Sequence, residues 1–221
     1  VKCLFVNTST LSLTCWLLGK VWVAAFSILA ASIVALSKTN LKARLAYSTI
    51  SQLGYIVLGA ALASPLAASG AALHIATHAA GKITLFFCAG AIYVAHHLSD
   101  IRDMDGLGRR MPITFSAFAL GALSIIGVPP LAGAWSKLML MGGAMQSEFL
   151  IIIFLLAVSS LLNLVYLGEI VLRAFFKSGA HSEGAMAEAP WACIVPLVVT
   201  ALMSLGLFFA VDNFVLEFGG K

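Results

Sequence analysis

Charge is scarce in this sequence. Asp, Glu, Lys and Arg make up 10% of its 221 residues and 61% of the chain is hydrophobic, whereas soluble domains carry about 25% charged residues. That imbalance excludes an ordinary soluble domain and marks an integral membrane protein. Acidic residues are the rarer sign, 9 against 13 Lys and Arg, for a formal net charge of +4. The basic residues are spread through loops and helix ends, with no patch for nucleic acid. Only four cysteines are present. Cys3, Cys15, Cys88 and Cys193 lie far apart, without the paired spacing of a metal site or disulfide framework, and read as small buried hydrophobes. An A-x-A-like cleavage site is missing after Lys2 and the polar stretch around Asn7, which argues against a cleavable signal peptide. Two-residue alternation is also missing from the apolar runs, which excludes barrel strands. Since hydrocarbon leaves every backbone N–H and C=O to be paired within the protein, the expectation is an all-α, polytopic transmembrane helical bundle.

What is present is a set of about six apolar regions: Leu11 to Ser37, Ala43 to Ala63, Leu66 to Leu98, Pro112 to Met145, Phe149 to Phe176 and Trp191 to Val211. Such runs are transmembrane helix candidates. The fourth carries "GVPPLAGAW" at 127–135 in its middle, and a double proline between glycines interrupts an α-helix. The reading is one broken helix, of the kind tolerated at membrane depth only where it is buried in protein or lines a watery cavity. Lys38, Lys42 and Arg44 follow the first region, Arg102, Arg109 and Arg110 the third, and Arg173 and Lys177 flank the end of the fifth. The turns between, at Ser64–Pro65 and around Gln146, carry no Lys or Arg. That alternation fits the positive-inside rule with six crossings, provided the broken region crosses once. Both termini then face away from the cytoplasm.

The third region contains "HIATHAAGK". Positions four apart share a helix face, so His74, His78 and Lys82 form one polar stripe within an otherwise apolar run. Ionisable residues inside a membrane usually face the bundle interior and mark ion or proton pathways. Histidine and lysine take up and release protons, so the stripe reads as a stepping chain for protons. The equal alternative is a structural hydrogen-bonding stripe between helices. The i, i+4 histidines also match half of a zinc pair, but the peptidase signature needs a glutamate where Ile75 stands, so no metal is expected.

Lys137, just after the break, either snorkels to the interface or stands beside an unwound segment where transporters place coupling sites. Glu169 is expected to pair with Arg173 at i+4. Tyr47, Ser48, Ser51 and Gln52 give the second region a polar face that either holds waters or hydrogen-bonds a neighbouring helix. His96 and His97, near Asp100, read as interfacial. No serine or cysteine nucleophile with a base partner suggests a hydrolase. No pattern suggests nucleotide, flavin or iron–sulfur binding, so no cofactor is expected.

Four segments in order, "LKARLAYSTISQLGYIVLG" (41–59), "HIATHAAGKITLFFCAGAI" (74–92), "DMDGLGRRMP" (103–112) and "GVPPLAGAWSKLML" (127–140), resemble the antiporter-like, proton-conducting membrane subunit family. That family takes in the large subunits of multisubunit monovalent cation/proton (Mrp-type) antiporters and the pumping subunits of respiratory complex I and membrane-bound hydrogenases. In detail the chain most resembles the D-type antiporter subunit, through "LKARLAYSTISQ", "GKITLFFCAGAIY" and "PPLAGAWSKL". The resemblance implies that Lys82 is the central relay lysine, that His74 and His78 flank it, that Lys137 is the terminal lysine on the broken helix, and that Ser51 and its polar neighbours line a water wire. It implies a multi-pass protein of the cytoplasmic membrane, exchanging H⁺ for a cation such as Na⁺, with other membrane subunits of an antiporter or respiratory complex and the bilayer as partners. The alternatives are a subunit of a redox-driven pump and a subunit that only packs. Family members are roughly twice as long and built from two inverted repeats. Residues 21–221 are therefore expected to be the C-terminal repeat, with 1–20 an atypical leading segment, and half a relay is not expected to transport alone.

Overall fold

The computed structural model describes residues 8–179 and 186–218, with side chains described over 16–179 and 186–211. Cys3, the side chain of Cys15 and most of the leading segment's side chains lie outside them. Among the described residues the chain is helical without strands: α1 (Thr8–Ser37), α2 (Leu41–Ala61), α3 (Pro65–His96), α4 (Pro112–Ile126), α5 (Gly133–Gln146), α6 (Leu150–Phe176) and α7 (Trp191–Phe218), with two short 3₁₀ turns between α3 and α4.

Local signals set the helix ends. Asn40 caps α2, its side chain accepting from Ala43 N at 3.1 Å, and Pro65 opens α3 at the position where a missing N–H costs nothing. The two basic loops pair across the bundle, Leu41 N donating to Ser99 O at 2.8 Å and Ile101 N to Thr39 O at 2.9 Å. Asp100 accepts from Arg102 N at 2.9 Å, and that backbone hydrogen bond holds its carboxyl below the usual carboxylate range. Glu188, from beyond α6, caps α4 by accepting from Ile113 N and Thr114 Oγ1, both at 2.7 Å.

The fourth apolar region splits as the double proline requires. α4 ends at Ile126, Gly127 turns the chain at φ +91°, a conformation that favours glycine, and α5 starts at Gly133. There the carbonyl oxygen of Ser124 sits 1.8 Å from where a Cβ would stand. With 15 and 14 residues, each piece reaches about 21–23 Å, short of a hydrocarbon core of about 30 Å. Together they cross once. The end of α5 meets the α2–α3 turn, Ser64 Oγ donating to Gln146 Oε1 at 2.7 Å and Ser147 Oγ to Leu62 O at 2.9 Å, on the face opposite the basic loops.

Four helices are long and apolar enough to span by themselves: Trp16–Ser37, Pro65–His96, Leu150–Phe176 and Trp191–Val211. α2 misses that measure because it carries Lys42, Arg44 and a polar face, and it completes the six crossings. Buried side chains of α2, α3, α4, α6 and α7 form the larger core around Leu45, Leu85, Phe115, Phe118 and Tyr166. A second core joins α1, α2, α3, α5 and α6 around Ile28, Tyr55 and Leu140. Small residues bring α3 and α5 close, a Cβ at Gly143 falling 2.5 Å from that of Ala67, which places α5 directly against the histidine stripe.

Candidate functional site

α3 turns His74, His78 and Lys82 inward, and all three are buried. The rings of His74 and His78 stack with centroids 6.0 Å apart and planes 18° from parallel, and His74 stacks again on Tyr55 at 5.4 Å. His74 joins three helices: its Nδ1 lies 2.9 Å from Ser136 Oγ on α5 and its Nε2 lies 3.2 Å from Gln52 Oε1 on α2. His78 Nε2, Gln52 Nε2 and Asn163 Nδ2 are buried and have no protein partner, and buried polar atoms of this kind are usually satisfied by ordered water.

Lys82 departs from the stripe. Its Nζ donates to Leu45 O at 3.1 Å and to Ser48 Oγ at 2.7 Å, both on α2. Ser48 also lies 2.8 Å from Tyr166 Oη on α6, and the Tyr166 hydroxyl hydrogen-bonds Asn163 Oδ1 one turn away. Lys137 is buried, so the snorkelling alternative does not hold: its Nζ donates to Ile126 O at 2.9 Å and to Ser160 Oγ at 3.0 Å, and it lies 5.1 Å from the centre of the Tyr55 ring. The break explains the first contact. Ile126 is the last residue of α4, its carbonyl has no partner further along the helix, and a cation at a helix C-terminus is favoured.

The polar face expected on α2 divides. Ser48 serves Lys82 and Gln52 serves His74, whereas Ser51 donates to Ile28 O at 3.0 Å and lies 2.8 Å from Ser32 Oγ, tying α2 to α1. Tyr47 sits one position off the face, packs on the larger core and carries Lys38 Nζ 5.3 Å above its ring; it takes no part in the polar cluster. The Glu169–Arg173 pair forms at 2.9 Å and belongs to a larger clasp. Arg44 NH1 reaches Glu169 Oε2 at 2.7 Å, Arg173 NH1 reaches Asp105 Oδ1 at 3.1 Å, and Arg44 also donates to Lys38 O and Tyr166 O at 2.8 and 3.0 Å. His96 Nε2 lies 3.2 Å from Ala187 O and His97 ends α3 in the left-handed conformation; both sit away from the cluster.

Sequence reasoning missed Tyr55, Ser136, Ser160, Asn163 and Tyr166. The signal for the last three was there: Ser160, Asn163, Tyr166, Glu169 and Arg173 recur every three or four residues along an otherwise apolar helix.

A buried lysine on a continuous helix, a second lysine on a broken helix, and polar groups between them now stand together. A family profile described as NADH:quinone oxidoreductase/Mrp antiporter, transmembrane, matches residues 4–163. The chain belongs to this family. Curated relatives of the NADH:quinone oxidoreductase/Mrp group include the NADH-quinone oxidoreductase subunit N of Desulforudis audaxviator, 41% identical over 169 residues that cover 76% of this chain and 34% of that protein. The subunit L of Mycobacterium tuberculosis is 37% identical over 201 residues, 86% of this chain and 31% of that protein. Among solved structures, a chain of the Mrp complex from a Dietzia species superposes with a TM-score of 0.83 at 22% identity, over 91% of this chain and 46% of that one. A chain of respiratory complex I from Thermus thermophilus gives 0.80 at 22% identity, over 92% and 43%. At these identities the structural likeness is one of fold. The chain spans about a third of the length of these curated relatives and less than half of the solved chains.

Proposed function

We propose that this chain is the C-terminal repeat of a proton-conducting membrane subunit, and that Lys82 and Lys137, with His74 and His78 between them, pass protons laterally through the bundle. The observation that carries the reading is the burial of two lysines, 5% exposed each, with no carboxylate partner among the described residues. A charged lysine at the bilayer centre costs about 2.5–3.5 kcal/mol. Packing does not call for such groups; taking up and releasing protons does. The open nitrogen of His78 and the open amides of Gln52 and Asn163 are sites for the waters that would join them.

The D-type antiporter reading, with Na⁺ exchanged for H⁺, draws on the four motif segments. The redox-pump reading draws on the relatives, which are named as subunits of NADH-quinone oxidoreductases. The partners are then the remaining membrane subunits of one complex or the other, and any redox chemistry lies in them.

The test is transport in everted vesicles from cells carrying this chain with its neighbouring subunits. Na⁺-induced collapse of a preformed pH gradient, absent in Lys82→Ala, supports the antiporter. Acidification driven by NADH and insensitive to Na⁺, again absent in Lys82→Ala, supports the pump. Wild-type rates in Lys82→Ala overturn both.

A further inference from the structure

We propose that Tyr166 is a further proton-carrying group, and that α6 supplies a second route between Lys82 and Lys137 beside the histidines of α3. The inference rests on the relay reading above and adds to it residues that the histidine stripe leaves out.

The hydrogen bonds of Lys82 lead away from that stripe. Both go to α2, to Leu45 O and Ser48 Oγ, while His78 Nε2 has no protein partner. From Ser48 the chain of contacts continues to Tyr166 Oη at 2.8 Å and then to Asn163 Oδ1. Protonation rules give it a direction. An ammonium only donates, an amide oxygen only accepts, and a hydroxyl has one proton. With Tyr166 donating to Asn163, Ser48 must donate to Tyr166, and Lys82 donates to Ser48. Three donors point in file from Lys82 into α6.

One turn nearer the start of α6, on the same face, Ser160 Oγ accepts from Lys137 Nζ at 3.0 Å. Asn163 stands between the two ends, fully buried, with Nδ2 unpartnered. One water bound there would link the Tyr166 hydroxyl to Ser160. An N–H bond of the Lys82 ammonium breaks and an N–H bond forms on the Lys137 amine. In between, Ser48, Tyr166, the water and Ser160 each take up one proton and release another, the Tyr166 hydroxyl turning from Asn163 Oδ1 to the water and the neutral Lys137 amine turning its lone pair to accept from Ser160, so none of them ends with a changed charge. Asn163 carries no proton; its Oδ1 holds the Tyr166 hydroxyl between transfers, and its unpartnered Nδ2 anchors the water.

The ring of Tyr166 is part of the core, so Tyr166→Phe keeps the packing and removes only the hydroxyl. The experiment compares wild type, Tyr166→Phe, His78→Ala, the double variant and Lys82→Ala in everted vesicles of the assembled complex, reading initial proton-transport rates per assembled subunit. Tyr166→Phe is expected to slow transport roughly three- to ten-fold, the effect of one hydrogen bond lost from a barrier. The double variant is expected to fall to the Lys82→Ala level, below the product of the two single effects, because parallel routes fail together. A purely structural role predicts independent effects that multiply. That result, or a wild-type rate for Tyr166→Phe in both backgrounds, overturns the second route while leaving the histidine route standing. A wild-type rate for Lys82→Ala overturns the relay itself. If Tyr166→Phe fails to assemble, Tyr166→Phe/Asn163→Leu removes the hydroxyl together with the acceptor it leaves unpaired and takes its place, with the same two expectations.

Discussion

Lys137 Nζ lies 2.9 Å from the carbonyl oxygen of Ile126, the last residue of the helix that the double proline cuts off. One side chain therefore closes the broken helix and offers the buried amine that a relay would use. The two roles separate by substitution. Lys137→Arg keeps a cation for the Ile126 carbonyl but holds its proton at any accessible pH. It is expected to assemble normally and transport at less than about a tenth of the wild-type rate, the loss expected when a proton-transfer group is removed. Lys137→Met is expected to lose transport and also to lower the thermal midpoint of the solubilised complex, since an unpaired buried carbonyl costs about 1–3 kcal/mol.

Gly133 admits nothing larger. A Cβ there would stand 1.8 Å from Ser124 O and 3.0 Å from Ser124 C, with Gly127 Cα at 3.7 Å. Backbone on one side leaves no flexible side chain to yield, so Gly133→Ala must push α5 away from the end of α4. Loss of assembled subunit on a native gel is the expected outcome, and normal assembly with normal transport would contradict this reading of the break.

Arg44 holds the basic end of the bundle together. It is 4% exposed and joins the end of α1, the backbone of α6 and Glu169. Arg173 is more exposed and its partners are two carboxylates near the surface. Breaking a buried pair costs about 3–5 kcal/mol, whereas exposed pairs contribute about 0–1 kcal/mol, and Glu169 at 38% exposure places Arg44 below the top of that range. Arg44→Leu should lower the thermal midpoint of the complex more than Arg173→Leu; equal shifts would refute the ranking.

Glu188 caps α4 from 74 residues away in sequence. Glu188→Ala leaves the first N–H groups of α4 without an acceptor, at a cost of about 1 kcal/mol. Since Glu188 touches none of the buried polar cluster, transport by assembled complex should stay near wild type while the midpoint falls by a few degrees. A change in transport at unchanged stability would count against a purely capping role.

By itself the sequence determined the elements and their order. Twenty or so apolar residues in hydrocarbon have no stable alternative to a helix, a double proline between glycines ends one, and basic loops on alternate turns orient the crossings. It also determined the stripe of His74, His78 and Lys82, because residues four apart on one helix share a face whatever surrounds it. Tertiary structure decided what each stripe meets. Helical spacing placed Ser48, Ser51 and Gln52 together, but only the rotation of α2 between α1, α3 and α6 gave Ser48 to Lys82, Ser51 to Ser32 and Gln52 to His74. It turned Lys137 inward, since the break aims α5 at α3 and α6, and the number of residues from a proline does not say which way the next helix points. It also brought Tyr166 to Lys82 across a third helix. Contacts of that kind depend on how close small residues let two backbones approach, and that distance belongs to the packed bundle.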